Sequence, residues 1–136
     1  MNNRNIDVLE HMVRYCDEIK ETQAHFGDSL ESLQSSAIYR NAVAMCIIQI
    51  GELSSHLSED FKTAYSEIPW QKIKGMRNIA AHHYGKFDTA ILYKTITERM
   101  PELHRFCDET LRRQLLLTQE AEPFEEPGES LDKPQH

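Results

Sequence analysis

The chain has 136 residues, of which 40% are hydrophobic and 27% charged, and its formal net charge is −7; this size and composition are typical of one globular domain. Residues 42–50, the longest apolar run, are interrupted by Gln49 and too few to span a membrane. The N-terminal residues lack the apolar stretch of a secretory signal, so we expect a cytoplasmic protein without a membrane partner.

The first two long helices are predicted by apolar residues that recur every three or four positions. The first covers residues 3–25, with Gly27 as its stop, and carries Ile6, Leu9, Val13, Cys16 and Ile19. A polar, serine-rich connection then leads to a second helix from Ile38 to Leu57. Because this helix is nearly apolar at its centre, we expect it to lie in the core of a bundle.

The later helices are predicted by their boundary residues. Ser58 is a suitable N-cap for a short helix through residue 65, and Pro69 suits the first turn of the next helix, which Gly85 would end. Asp88 would cap a further helix, which Pro101 either kinks or separates from a final one. Strand signals are nearly absent.

The predicted fold class is therefore all-α, an antiparallel bundle of four to five helices. We expect this helical domain to cover residues 1–120. Residues 121–136 are rich in Pro, Glu and Gly, which predicts a disordered acidic tail that keeps the protein soluble. Six acidic residues and one lysine lie between residues 120 and 136, so most of the negative charge belongs to this end of the chain.

The residues best suited to chemistry lie in the segment 76–85. It contains Arg77, His82 and Tyr84, with Asn78 and His83 as supporting candidates. The surrounding stretch 68–87 has no Asp or Glu and carries Lys72, Lys74, Arg77 and Lys86, which permits a local positive field. On an ideal helix Arg77 and Tyr84 are nearly eclipsed and roughly 10 Å apart, whereas His82 lies about 140° from Arg77. Either the helix unwinds near Gly85, or a second copy of the segment completes the site.

An Arg, a His and a Tyr are sufficient to cut RNA without a metal, because the ribose 2′-OH is a nucleophile that the substrate itself carries. A histidine such as His82 can move protons as general base or acid near neutral pH. Arg77 can bind the phosphate and stabilise the charge that develops on its oxygens. Tyr84 can donate a hydrogen bond to a phosphate oxygen or stack on a base.

The spacing of Arg77, His82 and Tyr84 resembles the signature of HepT-like toxins of the HEPN superfamily. The flanking sequences 50–52, 67–70 and 100–103 also match that family, and the resemblance covers roughly residues 4–117. It implies a helical bundle that forms a homodimer, with the motifs of two protomers facing one cleft. It further implies a metal-independent endoribonuclease without a cofactor, with Arg77 and His82 as catalytic residues, that acts as the toxin of a toxin–antitoxin pair.

The same resemblance implies how the toxin is neutralised. The antitoxin partner would be a minimal nucleotidyltransferase that adds AMP to Tyr84. A phosphate anion attached there would repel and block the RNA phosphate, and Arg77 would hold the wrong phosphate.

Other interpretations of the chain remain open. A catalytically silent nucleotide-binding or adaptor dimer would use Arg77 and Tyr84 only to hold a nucleotide. A purely structural interaction module would use the motif helix for docking. Glu52 either pairs with a buried Arg or lines a polar pocket, and we leave it outside the catalytic set. Trp70 is expected to be a packing anchor.

Two further kinds of site are less well supported. The three cysteines, Cys16, Cys46 and Cys107, are odd in number and lie among apolar residues, which favours reduced core thiols over disulfides or a metal site. Cys–His catalysis is not excluded by the sequence, although none of the three is near the polar segment. No glycine-rich loop precedes a Lys-Ser or Lys-Thr pair, so a phosphate-binding loop of that class is excluded.

Overall fold

The computed structural model describes residues 1–82 and 89–121, without the side chains of residues 79–82, 120 and 121. The described residues are helical and contain no strand, which confirms the all-α prediction. No helix among them is long and apolar enough to cross a membrane. The helices are α1 (Asn3–Phe26), α2 (Leu30–Ser35), α3 (Ala37–Ser54), α4 (Glu59–Ala64), α5 (Trp70–His82), α6 (Thr89–Lys94), a π-helical turn (Thr95–Arg99) and α7 (Met100–Ala121).

Short polar side chains begin the helices of the N-terminal half. The Asn2 side chain accepts a hydrogen bond from the backbone N–H of Asn5 at 2.7 Å, and Ser58 accepts one from Phe61 at 3.1 Å. Each bond satisfies one of the N–H groups that a helix leaves free in its first turn. The predicted boundaries of α1 and the predicted Ser58 cap of α4 are thereby confirmed.

Helix α2 was not expected, because the sequence around it predicts only a polar connection. Ser29 caps it by accepting a hydrogen bond from the backbone N–H of Ser32 at 3.0 Å. Leu33 is fully buried and attaches the short helix to the core. With α6, the π-helical turn and α7 taken as one continuous helix, the described residues form six helices, one more than the upper predicted number.

The core is built around α3, as its apolar centre predicts. This helix packs against α1 on one side and α5 on the other, while α7 covers α1. Tyr39, Val43 and Ile50 of α3 are completely buried, as are Leu9 and Met12 of α1. Each large apolar side chain contributes roughly 1.5–3 kcal/mol when it is removed from water. The stability of the fold therefore depends first on the surfaces with which α3 packs against α1 and α5.

Trp70 fixes the start of α5. Its indole Nε1 donates a hydrogen bond to the carbonyl oxygen of Tyr65 at 3.0 Å. Its ring lies 6.0 Å from Phe61 and 5.8 Å from Phe106, measured between centroids. The predicted packing role of Trp70 is confirmed. Pro69 lies directly before it, and its carbonyl accepts the first hydrogen bonds of α5, so the proline marks the start of this helix as predicted.

Pro101 lies in the first turn of α7, immediately after the π-helical turn. The backbone N–H of Met100 donates to the carbonyl of Thr95, five residues earlier. A proline inside a regular α-helix would meet the carbonyl four residues before it and would leave that carbonyl without an N–H donor. The wider π-helical turn accommodates both the proline ring and the missing N–H donor, so the chain stays helical from α6 through Pro101 into α7. The predicted Gly85 stop and Asp88 cap, together with the predicted acidic tail after Ala121, lie outside the described residues.

Helices α3 and α5 approach each other closely at Gly51. A Cβ atom added to Gly51 would lie 2.6 Å from the Cβ of Arg77 and 3.3 Å from the carbonyl oxygen of Ile73. The first distance is far below ordinary van der Waals contact. Only glycine therefore permits this separation of the two helices, and the contact involves the arginine of the predicted site.

The Gly51→Ala variant is expected to lower the free energy of unfolding by about 1–3 kcal/mol, because the new methyl group forces α3 and α5 apart. Gly75→Ala is the matched control, since a Cβ atom there meets nothing within 4 Å. Replacing a helical glycine by alanine should stabilise the protein by about 0.5–1 kcal/mol. Urea unfolding of both variants at one protein concentration measures the difference. Equal stability of the two variants would show that the helices do not need Gly51.

Candidate functional site

The structure places the predicted site at the C-terminal half of α5. Arg77 and Asn78 lie within this helix, and His82 is its last residue. The helix is regular through residue 82, so positions 77 and 82 are separated by about 140° around its axis. His83 and Tyr84 lie outside the described residues, as does the region of Gly85 where unwinding is one of the two expectations. One α5 helix thus does not bring Arg77 and His82 to the same face.

The Arg77 side chain is held by two neighbours. Its Nη1 donates a hydrogen bond to Oε2 of Glu52 at 2.8 Å, and its Nη2 donates to Oδ1 of Asn78 at 3.2 Å. Glu52 follows Gly51 on α3, so the glycine that allows the close approach also brings the carboxylate within reach. One of the two roles expected for Glu52, pairing with an arginine, is therefore observed. That arginine is 31% exposed rather than buried.

The Glu52–Arg77 pair orients the arginine more than it stabilises the fold. The side chain of Glu52 is 49% exposed, and pairs this open to water contribute only about 0–1 kcal/mol. A guanidinium group has five N–H donors, of which these contacts occupy two. Arg77 is thus fixed in direction and keeps donors for an anion such as a phosphate.

Glu52 also ends an exposed stripe on α3 that the sequence interpretation did not single out. Ile38 and Met45 are 71% and 55% exposed, although both are large apolar side chains. Ile38, Met45 and Glu52 are spaced by seven residues, which places them on nearly the same face of the helix. The seven-residue spacing was visible in the sequence, but which face of α3 remains uncovered was not.

The cysteines are not nucleophiles. All three are free and buried, as predicted. Burial raises the pKa of Cys16 to about 12 and that of Cys46 to about 12, and it also raises the pKa of Cys107. Because the thiolate is the reactive form, thiols that remain protonated near neutral pH have little reactivity. Their burial and raised pKa values argue against the open alternative of Cys–His catalysis.

No cluster of three or more His, Cys, Asp or Glu residues that could hold a metal ion occurs in the part of the chain that the structure describes. His82 is a potential ligand whose side chain is not described. A metal-independent reaction therefore remains a prediction from the motif.

Comparison with known proteins decides the family. A family model described as "Ribonuclease HepT-like" matches residues 12–110 of the chain. The chain belongs to the HepT-like ribonuclease family. The match includes α3, α5 and the Glu52–Arg77 pair, and it confirms the resemblance carried by Arg77, His82 and Tyr84.

Individual relatives of this HepT-like protein carry similar names. It is 29% identical over 106 residues to a protein of Caldanaerobacter subterraneus subsp. tengcongensis named "Putative RNase", an alignment that covers 78% of this chain and 93% of the relative. It is 39% identical over 62 residues to the "Probable ribonuclease HepT" of Thermococcus cleftensis, covering 46% of this chain and 56% of that protein. No solved structure matches the chain.

Proposed function

We propose that this HepT-like protein is a metal-independent endoribonuclease with a site that two protomers build together. The observation that carries the proposal is the geometry of Arg77. Glu52 and Asn78 fix the direction of its partly exposed guanidinium group. Three of its N–H donors remain for a phosphate, and it lies on the helix that ends at His82. The names of the relatives support RNA as the substrate.

The reaction uses the 2′-OH of the substrate as nucleophile. Its oxygen attacks the adjacent phosphorus while His82 of one protomer accepts the hydroxyl proton. The bond between phosphorus and the 5′-oxygen breaks, the leaving oxygen takes up a proton from water, and the protonated His82 returns its proton to the solvent. The products are a 2′,3′-cyclic phosphate and a 5′-OH. Arg77 stabilises the negative charge on the non-bridging oxygens. The hydrogen bond to Glu52 holds the guanidinium group of Arg77 in a fixed orientation, which reduces the reorganisation needed during the reaction.

A homodimer explains how Arg77 and His82 meet although they lie on different faces of α5. We place the interface on the exposed stripe of α3, because Ile38 and Met45 leave apolar surface in water at one end and Glu52 reaches the site at the other. A two-fold axis across this stripe would bring the α5 helices of two protomers close to each other. The Arg77 of one protomer would then face the His82 of its partner.

In this proposal the enzyme is the toxin of a toxin–antitoxin pair. Its antitoxin is a minimal nucleotidyltransferase that adds AMP to Tyr84. Position 84 follows His82 by two residues in the sequence. An adenylyl group there would put a phosphate anion near Arg77, where it would compete with the RNA.

The His82→Ala variant is expected to lose RNA cleavage by about 10²–10⁴-fold, because it removes the proton acceptor. His11→Ala is the matched control, since His11 is exposed on α1 and bonds only to the Asp7 carbonyl of its own helix. Cleavage of a labelled RNA and the cyclic phosphate at the product end are measured together with the oligomeric state. Wild-type cleavage by His82→Ala would contradict the mechanism. A wild-type protein that binds nucleotide but cuts no RNA would instead indicate the adaptor dimer.

The Met45→Glu variant is expected to be monomeric and inactive, because it buries a charge in the proposed interface. Leu116→Glu is its control: Leu116 is 54% exposed near the end of α7, and the same change there should leave both properties intact. Sedimentation and RNA cleavage are measured on the same samples. A dimeric, active Met45→Glu protein would place the interface elsewhere.

Coexpression with a minimal nucleotidyltransferase of the proposed antitoxin class is expected to increase the intact mass of the protein by one or more AMP groups. Tyr84→Phe should lose the increase because it lacks the phenolic oxygen. Tyr93→Phe is the control, a tyrosine in the same C-terminal half whose hydroxyl contacts the carbonyl of Asp28. An unchanged mass in the coexpressed wild-type protein, or an increase retained in Tyr84→Phe, would argue against this regulation.

A further inference from the structure

A cleft of about 580 Å³ runs between α5 and the continuous helix formed by α6, the π-helical turn and α7. From α5 it is lined by Lys72, Gly75 and Met76. From the opposite side it is lined by residues of all three segments, including Ile91, Lys94 and Arg99. Of the described residues of segment 76–85, Met76 lines this cleft and Arg77 does not, so the cleft is a different surface from the one that presents Arg77.

The cleft carries positive charge although the whole chain has a net charge of −7. Four cations line it against two carboxylates, Glu98 and Glu102; the cations are Lys72, Lys94, Arg99 and Arg105. None of the four forms an ion pair within 4.0 Å with any residue that the structure describes. A surface whose cations outnumber its acids and lack a partner of opposite charge attracts a polyanion.

The π-helical turn is the reason that two of these cations act from one side. Lys94 and Arg99 are five residues apart, a separation that an α-helix turns through about 140°. A turn with i→i+5 hydrogen bonds contains more residues than an α-helical turn, so residues five apart are separated by a smaller rotation than in an α-helix. Both side chains line the cleft in consequence. The turn thus places two cations on the face opposite Lys72.

The face of α5 that borders the cleft at Gly75 also carries position 82. Gly75 and position 82 are seven residues apart on this helix, which separates them by about 20° in rotation and roughly 10 Å along the axis. Gly75 leaves open space, because a Cβ atom there would meet nothing within 4 Å. A polymer lying in the cleft over Gly75 can therefore continue along α5 to position 82.

We propose that this cleft binds the phosphodiester backbone of single-stranded RNA next to the cleavage site. The inference rests on the proposed function for the identity of the polyanion. Lys72, Lys94 and Arg99 would contact successive phosphates from both sides of the cleft. Met76 and the half-exposed Ile91 add apolar surface, which suits bases that are not stacked in a duplex. The cleft positions the strand and takes no part in bond breaking.

The test uses a fluorescent single-stranded RNA whose riboses are all 2′-O-methylated, so that no nucleophile is present and binding is measured without cleavage. The Lys94→Gln/Arg99→Gln double variant is compared with Arg14→Gln/Lys20→Gln. The control removes the same two residue types from exposed positions of α1. Fluorescence anisotropy measures the Kd of each protein at salt concentrations from about 50 to 200 mM.

The cleft variant is expected to bind more weakly, and its slope of log affinity against log salt concentration should be lower in magnitude by about 1.4. Each lost phosphate contact on a single strand accounts for about 0.7 of that slope. The control should keep the wild-type slope. If Lys94→Gln/Arg99→Gln proves unstable in urea, Lys72→Gln/Arg105→Gln replaces it, because both of these side chains are exposed.

A cleft variant with the affinity and salt slope of the wild type would overturn the proposal. Cleavage of the unmethylated RNA is measured in parallel and separates this failure from that of the proposed function. If the wild-type protein cleaves the RNA and the cleft variant binds it with unchanged affinity and salt slope, only the proposal for the cleft is refuted. If the wild-type protein cuts no RNA but the cleft variant shows the expected loss of binding, the cleft is supported and the nuclease is refuted.

Discussion

The close approach of α3 and α5 at Gly51 is the constraint on which the remaining structure depends. Arg77 lies against the glycine, and the next residue of α3, Glu52, receives the arginine's hydrogen bond at 2.8 Å. The contact therefore fixes both the packing of two core helices and the direction of the Arg77 side chain. Trp70 fixes the other end of α5. Because contacts at Trp70 and Arg77 hold α5 at two points, the exposed residues of this helix have a defined orientation relative to the bundle.

The distribution of charge reconciles an acidic protein with an anionic substrate. The excess of acidic residues after position 119 contributes most of the net charge of −7. On the bundle itself, the cleft beside α5 has more cations than carboxylates, and Arg77 is only partly neutralised by an acid in contact with water. Because salt screens charges beyond roughly 10 Å, a strand near α5 would experience these local groups more strongly than the net charge of the whole chain.

Much of the fold was predictable because it follows from local rules. The apolar periodicity of α1 and α3 and the Ser58 cap directly predicted helices that the structure contains. Helix α2 was missed, since six residues with one fully buried leucine give no periodic signal. The rotation between Arg77 and His82 also followed from the sequence, as it needs only a regular helix. The cleft could not be predicted from the sequence, because Lys72 and Arg99 come together only through tertiary packing and a π-helical turn that no residue pattern predicts.

The three buried thiols have a practical consequence. Oxidation of cysteine requires exposure and thiolate character, and burial together with raised pKa values denies both to Cys16, Cys46 and Cys107. Peroxide and disulfide reagents should thus leave these three thiols of the folded protein unmodified. The same inertness gives a silent background for labelling, so that one cysteine introduced on the outer face of α5 would carry a spectroscopic probe to a single known position.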